Sequence, residues 1–230
     1  MTDLKALFNR CLNAQYKHVE NDGDYALERD GDLLYILFEC SNGKVDWKNN
    51  FDFPTKPYKD MGIKWHCHRG FLRVWKSIEP YLENVIKDPT IKKIIIVGYS
   101  HGSAIASLCH EYVWYNRPDL RESNLEGFGF GCPKVYWGFM KKALKERWEH
   151  FHPIKNCSDI VTTVPPVIFG FIHVNKVYKL KNKTLKNRHG NIKSVDSHYP
   201  DNYLYSLSLE TDDGFHNFKE KNKKNKEAKK

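Results

Sequence analysis

The pentapeptide Gly98-Tyr99-Ser100-His101-Gly102 follows an apolar, β-branched run, IKKIIIV, and precedes apolar residues at helical spacing. A serine between a buried strand and a helix in a G-x-S-x-G pattern is typical of a catalytic nucleophile. The glycines permit a turn so sharp that it leaves the serine strained and exposed. The His101 backbone N–H at the start of the helix is suited to stabilising an oxyanion. A serine at this position also serves as an ordinary helix N-cap, which is the alternative interpretation.

A nucleophilic serine needs a histidine base and a carboxylate that orients the imidazole. Asp159 follows a predicted strand, where a side chain at the carboxyl end of a sheet reaches the crevice. His198 lies in a loop after the last predicted strands, and we expect it to be the base. His189 is the alternative base, while Asp196 and Asp201 flank His198 and are expected to cap helices or contact solvent.

The elements that must position these residues alternate between strands and helices. Apolar spacing predicts helices near residues 4–12, 71–86, 105–113 and 136–148, and strands near residues 25–40, 91–97, 124–131, 150–156 and 171–180. Such alternation predicts an α/β fold, with a mostly parallel central sheet flanked by helices in a single domain. We place the domain at residues 1–212.

The remaining segment, residues 213–230, is rich in lysine. Its last thirteen residues, FKEKNKKNKEAKK, carry seven lysines against two glutamates, within a chain of net charge +9. We expect a disordered, solubilising tail; attachment to an anionic membrane surface is the alternative. The chain has no zinc-finger spacing, basic dimerisation helix or RNP-like motif, so nucleic-acid recognition is not expected.

The spacing of the cysteines and the length of the apolar runs indicate the cellular compartment in which the protein is expected. Six cysteines are widely spaced without a CxxC pair, which favours reduced thiols. His66-Cys67-His68 does not predict a zinc site, because alternate residues of a strand point to opposite faces. The first residues lack a signal-peptide pattern and no apolar run is long enough to span a bilayer. We therefore expect a cytoplasmic protein.

Several stretches, taken in chain order over roughly residues 25–205, resemble the class 3 (fungal-type) lipase family of the α/β-hydrolase superfamily. The stretches that carry this resemblance are ILFECS, Asp46-Trp47, HRGF from His68, the GYSHG pentapeptide, FGCPKV, NCSDIVTTVPP, HVNKVY and HYPDNYL. The order Ser100, Asp159, His198 is also that of α/β-hydrolases.

The resemblance implies further site residues. Ser41 stands at the position of the family's oxyanion-hole threonine, so Ser41 and His101 are expected to form the oxyanion hole. The loop over residues 43–62 stands at the position of the family's lid, and its aromatic residues are expected to bind the acyl chain or to pack in the core: Trp47, Phe51, Phe53 and Tyr58, with Trp65 just beyond the loop. Glu39 and Cys40 replace the family's arginine and glycine, which bears on the oxyanion geometry.

These features predict a serine hydrolase that cleaves carboxylic esters of acylglycerols or related lipids through an acyl-enzyme. The chemistry requires no metal and no organic cofactor. A phospholipase, an acyltransferase or a peptidase would use the same triad, and a lipase-fold binding protein without catalysis is a further alternative. The sequence does not determine the oligomeric state.

Overall fold

The computed structural model describes residues 2–39, 54–59, 61–180, 186–187, 190–191, 196–210 and 212–227. The helices are α1 (Leu4–Asn13), α2 (Arg69–Lys87), α3 (His101–Asn116), α4 (Lys142–Lys145), α5 (Pro200–Ser208) and α6 (Asp212–Glu227). The strands are β1 (Lys17–Val19), β2 (Gly23–Asp30), β3 (Leu33–Phe38), β4 (Thr55–Tyr58), β5 (Trp65–His68), β6 (Lys93–Tyr99), β7 (Leu125–Phe130), β8 (Tyr136–Trp137), β9 (Phe151–Lys155), β10 (Phe171–Ile172), β11 (Tyr178–Lys179), β12 (Lys186–Asn187) and β13 (Gly190–Asn191).

A seven-stranded sheet in the order β1-β2-β3-β6-β7-β9-β11 forms the centre of the molecule. Strands β3, β6, β7, β9 and β11 run parallel, and β1 and β2 add an antiparallel edge. This confirms the predicted mostly parallel sheet flanked by helices. Because the strands are parallel, the loops that follow β6, β7 and β9 meet at one edge, the carboxyl edge of the sheet.

Side chains that alternate along β6 fill two apolar layers. Ile94 and Ile96 pack with the buried faces of α2 and α3 on one side of the sheet. Ile95 and Val97 pack with α1, α5 and α6 on the other side. Burial on both faces explains why this strand reads as an uninterrupted apolar run.

Local sequence explains where two of the predicted helices begin. The side chain of Asp3 caps α1 by accepting a hydrogen bond from the Ala6 backbone N–H. His68 Nδ1 accepts the corresponding bond from the Phe71 backbone N–H at the start of α2. Helix α2 then continues through Pro80, as its apolar spacing predicts.

A second, four-stranded sheet in the order β10-β8-β5-β4 corrects two predictions. Residues 136–148, predicted as one helix, form strand β8, the short helix α4 and a 3₁₀ turn. Residues 171–180, predicted as one strand, form β10 and β11 in different sheets. Pairing of β8 with both β5 and β10 outweighs the helical spacing of this segment.

Two aromatic residues near the expected lid lie in the core. Tyr58 on β4 and Trp65 on β5 are almost fully buried, with ring centroids 5.2 Å apart. These two aromatics were expected either to bind the acyl chain or to pack in the core, and in the structure they pack in the core.

The C-terminal segment also differs from the expectation of a disordered tail, because α6 covers Asp212–Glu227. Phe215 is buried against His152 and Tyr178, and Phe218 contacts Tyr178 from the next turn. These two aromatic rings on one face tie the helix to the sheet. Within the described part of the chain, no helix is long and apolar enough to cross a membrane.

Candidate active site

Ser100 occupies the turn between β6 and α3 in a strained conformation. Its φ of 56° and ψ of −123° lie in a region that residues other than glycine rarely adopt. The Ser100 backbone N–H donates to the Phe130 carbonyl at the end of β7, and the Ser103 N–H donates to the Ser100 carbonyl. Hydrogen bonds on both sides hold the serine at the carboxyl edge of the sheet.

Gly98 and Gly102 are required by close backbone contacts at this turn. A Cβ on Gly98 would lie 2.4 Å from the Gly102 carbonyl oxygen, and a Cβ on Gly102 would lie 2.2 Å from the Glu39 carbonyl oxygen. Both positions must therefore be glycine. The N-cap alternative fails, since the Ser100 side chain makes no capping hydrogen bond to α3.

The side chains of Ser100, His198 and Asp159 form one hydrogen-bonded chain. Ser100 Oγ lies 2.8 Å from His198 Nε2, and His198 Nδ1 lies 3.0 Å from Asp159 Oδ2. With the proton on Nδ1 donated to the carboxylate, Nε2 is free to accept the serine proton. Asp159 is fully buried, and Ser100 is 9% exposed.

The Asp159 carboxylate is surrounded by donors. The Val161 N–H donates to Oδ1 at 2.9 Å, and the Tyr203 hydroxyl donates to Oδ2 at 2.7 Å. Burial and the charge of Asp159 raise the pKa of Tyr203 well above its ordinary value, so the phenol keeps its proton. The tyrosine oxygen also accepts a hydrogen bond from the Asn156 N–H at 3.1 Å.

His198 is held from the other side by Tyr99 and Gly131. The Tyr99 hydroxyl donates to the His198 carbonyl, and the two rings stack with centroids 5.2 Å apart. Gly131 has a φ of 61°, and a Cβ there would lie 2.7 Å from His198 Cε1. Sequence reasoning missed the roles of Tyr99, Gly131 and Tyr203, although Gly131 falls within the FGCPKV stretch that it singled out.

The other predicted site residues have different outcomes. His101 is the first residue of α3, where backbone N–H groups lack partners within the helix; its side chain is buried against the Phe71 ring. Ser41, Trp47, Phe51 and Phe53, together with the alternative base His189, lie outside the described residues.

Two histidines outside the triad have structural contacts. His68 caps α2, and its ring stacks on Phe71. His173 Nε2 lies 2.9 Å from the Thr162 carbonyl oxygen, and its ring is largely buried. Thr162 Oγ1 in turn donates to the Asp159 carbonyl oxygen. His173 therefore supports the loop that carries Asp159, at a distance from the serine hydroxyl.

Comparison with known proteins places the chain in a family. The model of the class 3 lipases matches residues 35–169, more than half of the chain. A lipase of Rhizomucor miehei is 27% identical over 150 residues, which cover 63% of this chain and 41% of that protein. A secreted mono- and diacylglycerol lipase of Fusarium solani is 26% identical over 140 residues, which cover 59% of this chain and 40% of that protein. The chain thus spans about two fifths of the length of these relatives.

Solved structures share the fold. The Rhizomucor miehei triacylglyceride lipase superposes with a TM-score of 0.62 at 23% identity, covering 73% of this chain and 66% of the other. A lipase from Rhizopus microsporus var. chinensis gives the same score at 20% identity, covering 87% and 75%. Together with the family match, the α/β-hydrolase architecture and the motifs in their order assign this chain to the class 3 lipase family.

Proposed function

We propose that this protein hydrolyses carboxylic esters of lipids, with Ser100 as nucleophile, His198 as general base and Asp159 as the residue that orients the imidazole. The observation that carries the proposal is the hydrogen-bonded chain from Ser100 Oγ through His198 to Asp159 Oδ2. The strained backbone at Ser100 supports it, because such strain persists where function requires it.

In the proposed first step, Ser100 Oγ attacks the ester carbonyl carbon while His198 Nε2 takes the hydroxyl proton. Asp159 stabilises the imidazolium that forms. The His101 backbone N–H, together with the backbone N–H and hydroxyl of Ser41, stabilises the negative oxygen of the tetrahedral intermediate. The imidazolium then protonates the departing alcohol, which leaves the acyl group on Ser100.

In the second step, His198 takes a proton from water, and the resulting nucleophile attacks the acyl-enzyme. Collapse of the second tetrahedral intermediate releases the carboxylic acid and restores the Ser100 hydroxyl. We propose acylglycerols as the substrate class, which the Fusarium solani relative supports because it is a mono- and diacylglycerol lipase. We assign Trp47, Phe51 and Phe53 to the acyl groove.

We further propose that the protein works in a reducing compartment, the cytoplasm. No two cysteines of the described residues form a disulfide, and Cys11, Cys67, Cys109 and Cys132 are buried. An anionic lipid surface is the proposed partner.

The test compares wild type and Ser100→Ala on p-nitrophenyl esters from acetate to palmitate. We expect the variant to lose about a thousandfold or more in kcat, since removing the nucleophile leaves only binding and oxyanion stabilisation. Ser208→Ala, an exposed serine at the end of α5, is the matched control and should retain activity.

A fluorophosphonate probe provides a second readout of the same proposal. It should label wild type and Ser208→Ala but not Ser100→Ala. Wild-type protein that neither turns over any ester nor reacts with the probe would refute hydrolysis and favour a binding protein with the lipase fold. The chain-length profile separates an esterase from a lipase.

A further inference from the structure

Five apolar side chains project into solvent at the carboxyl edge of the sheet, and we call them the apolar rim: Phe139, Ile160, Val167, Ile168 and Phe169. Phe139 is 99% exposed and Ile168 is 87% exposed, while the other three are between 44% and 62% exposed. Soluble proteins seldom expose large apolar side chains together unless the surface binds something.

The rim adjoins the proposed catalytic residues. Ile160 follows Asp159 directly in the chain. At the other end of the segment over residues 160–171, the centroid of the Phe171 ring lies 5.7 Å from that of the His68 ring. The His68 ring stacks on Phe71, and the Phe71 ring contacts the ring of His101 beside the nucleophile. The segment over residues 160–171 is therefore joined to the proposed catalytic residues at Asp159 and, through packed rings, at His101.

Three hydrogen bonds hold the turn that carries Val167, Ile168 and Phe169. The Phe169 N–H donates to the Pro166 carbonyl and the Gly170 N–H donates to the Val167 carbonyl. The Trp137 indole N–H donates to the Phe169 carbonyl at 2.8 Å. Each of these hydrogen bonds lowers the cost of bringing the turn into an apolar medium, because a paired polar group loses less on leaving water.

The charged residues around the apolar rim indicate which kind of surface it binds. Residues 160–172 contain no charged side chain, whereas residues 134–145 contain four lysines and no acidic residue. Lys141, Lys142 and Lys145 are exposed beyond Phe139, and Lys141 Nζ donates to the Lys64 carbonyl, which brings another exposed lysine close. An apolar tip bordered by lysines is complementary to an anionic lipid surface.

A second copy of the chain fits this surface less well. A two-fold contact places the same patch of both copies face to face. The lysines beside Phe139 would then lie opposite each other, where their like charges repel.

The C-terminal lysines lie toward the other end of the sheet. Phe215 of α6 contacts Phe128 in the middle of β7, while Lys219 pairs with Glu126 near the start of that strand. The helix thus runs toward the amino edge, and its last eight residues extend about 12 Å further. A membrane that bound these lysines alone would leave Ser100 on the side away from the lipid.

We propose that the apolar rim is the membrane-docking surface of this protein, which inserts into an anionic lipid surface and presents the ester bond to Ser100. This inference rests on the proposed function and adds which face of the molecule meets the lipid. The rim inserts by burying Ile168 and Phe139 among the acyl chains, while the neighbouring lysines contact the headgroups.

The test measures flotation of the full chain with vesicles of phosphatidylcholine mixed with phosphatidylglycerol, in a Ser100→Ala background so that no turnover is needed. The variant Phe139→Ser/Ile168→Ser should lose at least about tenfold in vesicle binding, as expected for removing two large apolar side chains. Tyr81→Ser, an exposed aromatic on α2 outside the rim, is the matched control and should bind like its parent. Vesicles of phosphatidylcholine alone should bind more weakly than the mixed ones.

Three results would overturn the proposal. One is unchanged flotation of the rim variant. Another is a larger loss for Lys221→Gln/Lys223→Gln/Lys224→Gln than for the rim variant, which would assign binding to α6. The last is a wild-type dimer that the rim variant converts to a monomer, which would make a second copy the occupant. Phe139→Ser alone, at a fully exposed side chain, repeats the test if the double variant unfolds.

Turnover separates this inference from the proposed function. With an active Ser100, the rim variant should hydrolyse soluble p-nitrophenyl acetate like wild type but hydrolyse vesicle-embedded ester more slowly. Equal rates on both substrates would contradict docking by the rim, and absence of wild-type hydrolysis on either would contradict the proposed function while flotation still tests the rim.

Discussion

The Tyr203 hydroxyl and the Asp159 carboxylate form a 2.7 Å hydrogen bond in a fully buried setting, on the same Oδ2 that faces His198 Nδ1. The phenol thus adds a second donor to the oxygen that holds the imidazole. A hydrogen bond to a charged group is roughly twice as strong as a neutral one. Tyr203 therefore helps to keep the Asp159 carboxylate in place.

Tyr203→Phe removes this donor and keeps the ring. We expect kcat to fall about tenfold with KM unchanged, because a hydrogen bond to a charged group contributes about 1.5–3 kcal/mol. Tyr205→Phe, on the exposed side of the same helix, is the control. An unchanged kcat would indicate that Tyr203 contributes only packing.

Asp159→Asn keeps the size of the side chain and removes its charge. The amide no longer selects the tautomer with the proton on Nδ1 of His198, so we expect kcat to fall about ten-thousandfold. Steady-state hydrolysis of p-nitrophenyl acetate measures the loss. Asp201→Asn, at an exposed acid in the first turn of α5, should retain activity. Comparable losses in both variants would mean that the orienting acid has been misassigned.

Gly131→Ala introduces a Cβ at the position 2.7 Å from His198 Cε1. We expect the imidazole to be displaced and kcat to fall about a hundredfold, because misplacing a reacting group by about 1 Å costs that much. Gly138→Ala is a close control: its φ of 90° imposes comparable backbone strain, but no atom lies within 4 Å of the new Cβ. Equal kinetic losses would assign the effect to backbone strain and not to contact with His198.

Buried titratable groups predict how stability depends on pH. Burial lowers the pKa of His101 and of His110 to about 3, and lowers that of His173 to about 4. Below an ordinary pKa of about 6.5, the unfolded chain binds protons that these folded imidazoles do not, so stability falls as pH falls. Glu111 acts in the opposite sense between about 4.5 and 7, because burial raises its pKa to about 7.

Three imidazoles outweigh one carboxyl, so the free energy of unfolding should decrease between about pH 6.5 and 4.5. Urea unfolding at a series of pH values measures the slope. His110→Leu removes one of the titrating groups and should reduce the slope by up to about 1.4 kcal/mol per pH unit. A slope identical to that of wild type would show that the pKa of His110 is the same in the folded and the unfolded chain.

Local pattern was enough to predict the elements around the nucleophile. The apolar run before Ser100 and the helical spacing after it are properties of adjacent residues, and β6 and α3 form where they indicate. Asp159 and His198 could be selected because each follows a recognisable strand or loop. Predicting the helix at residues 136–148 failed because β8 takes its conformation from β5 and β10, which are distant in the sequence.

The sequence by itself determined the kind of protein: the order of strands and helices, the strained turn at Ser100 and the three side chains with matching chemistry. Tertiary structure alone decided what holds and surrounds them. Tyr203 bonds Asp159 across 44 residues, and Gly131 approaches His198 between two loops. The apolar rim likewise exists only because the Val167–Phe169 turn is braced by Trp137. Such contacts depend on where separate segments meet in space, and no local periodicity encodes that.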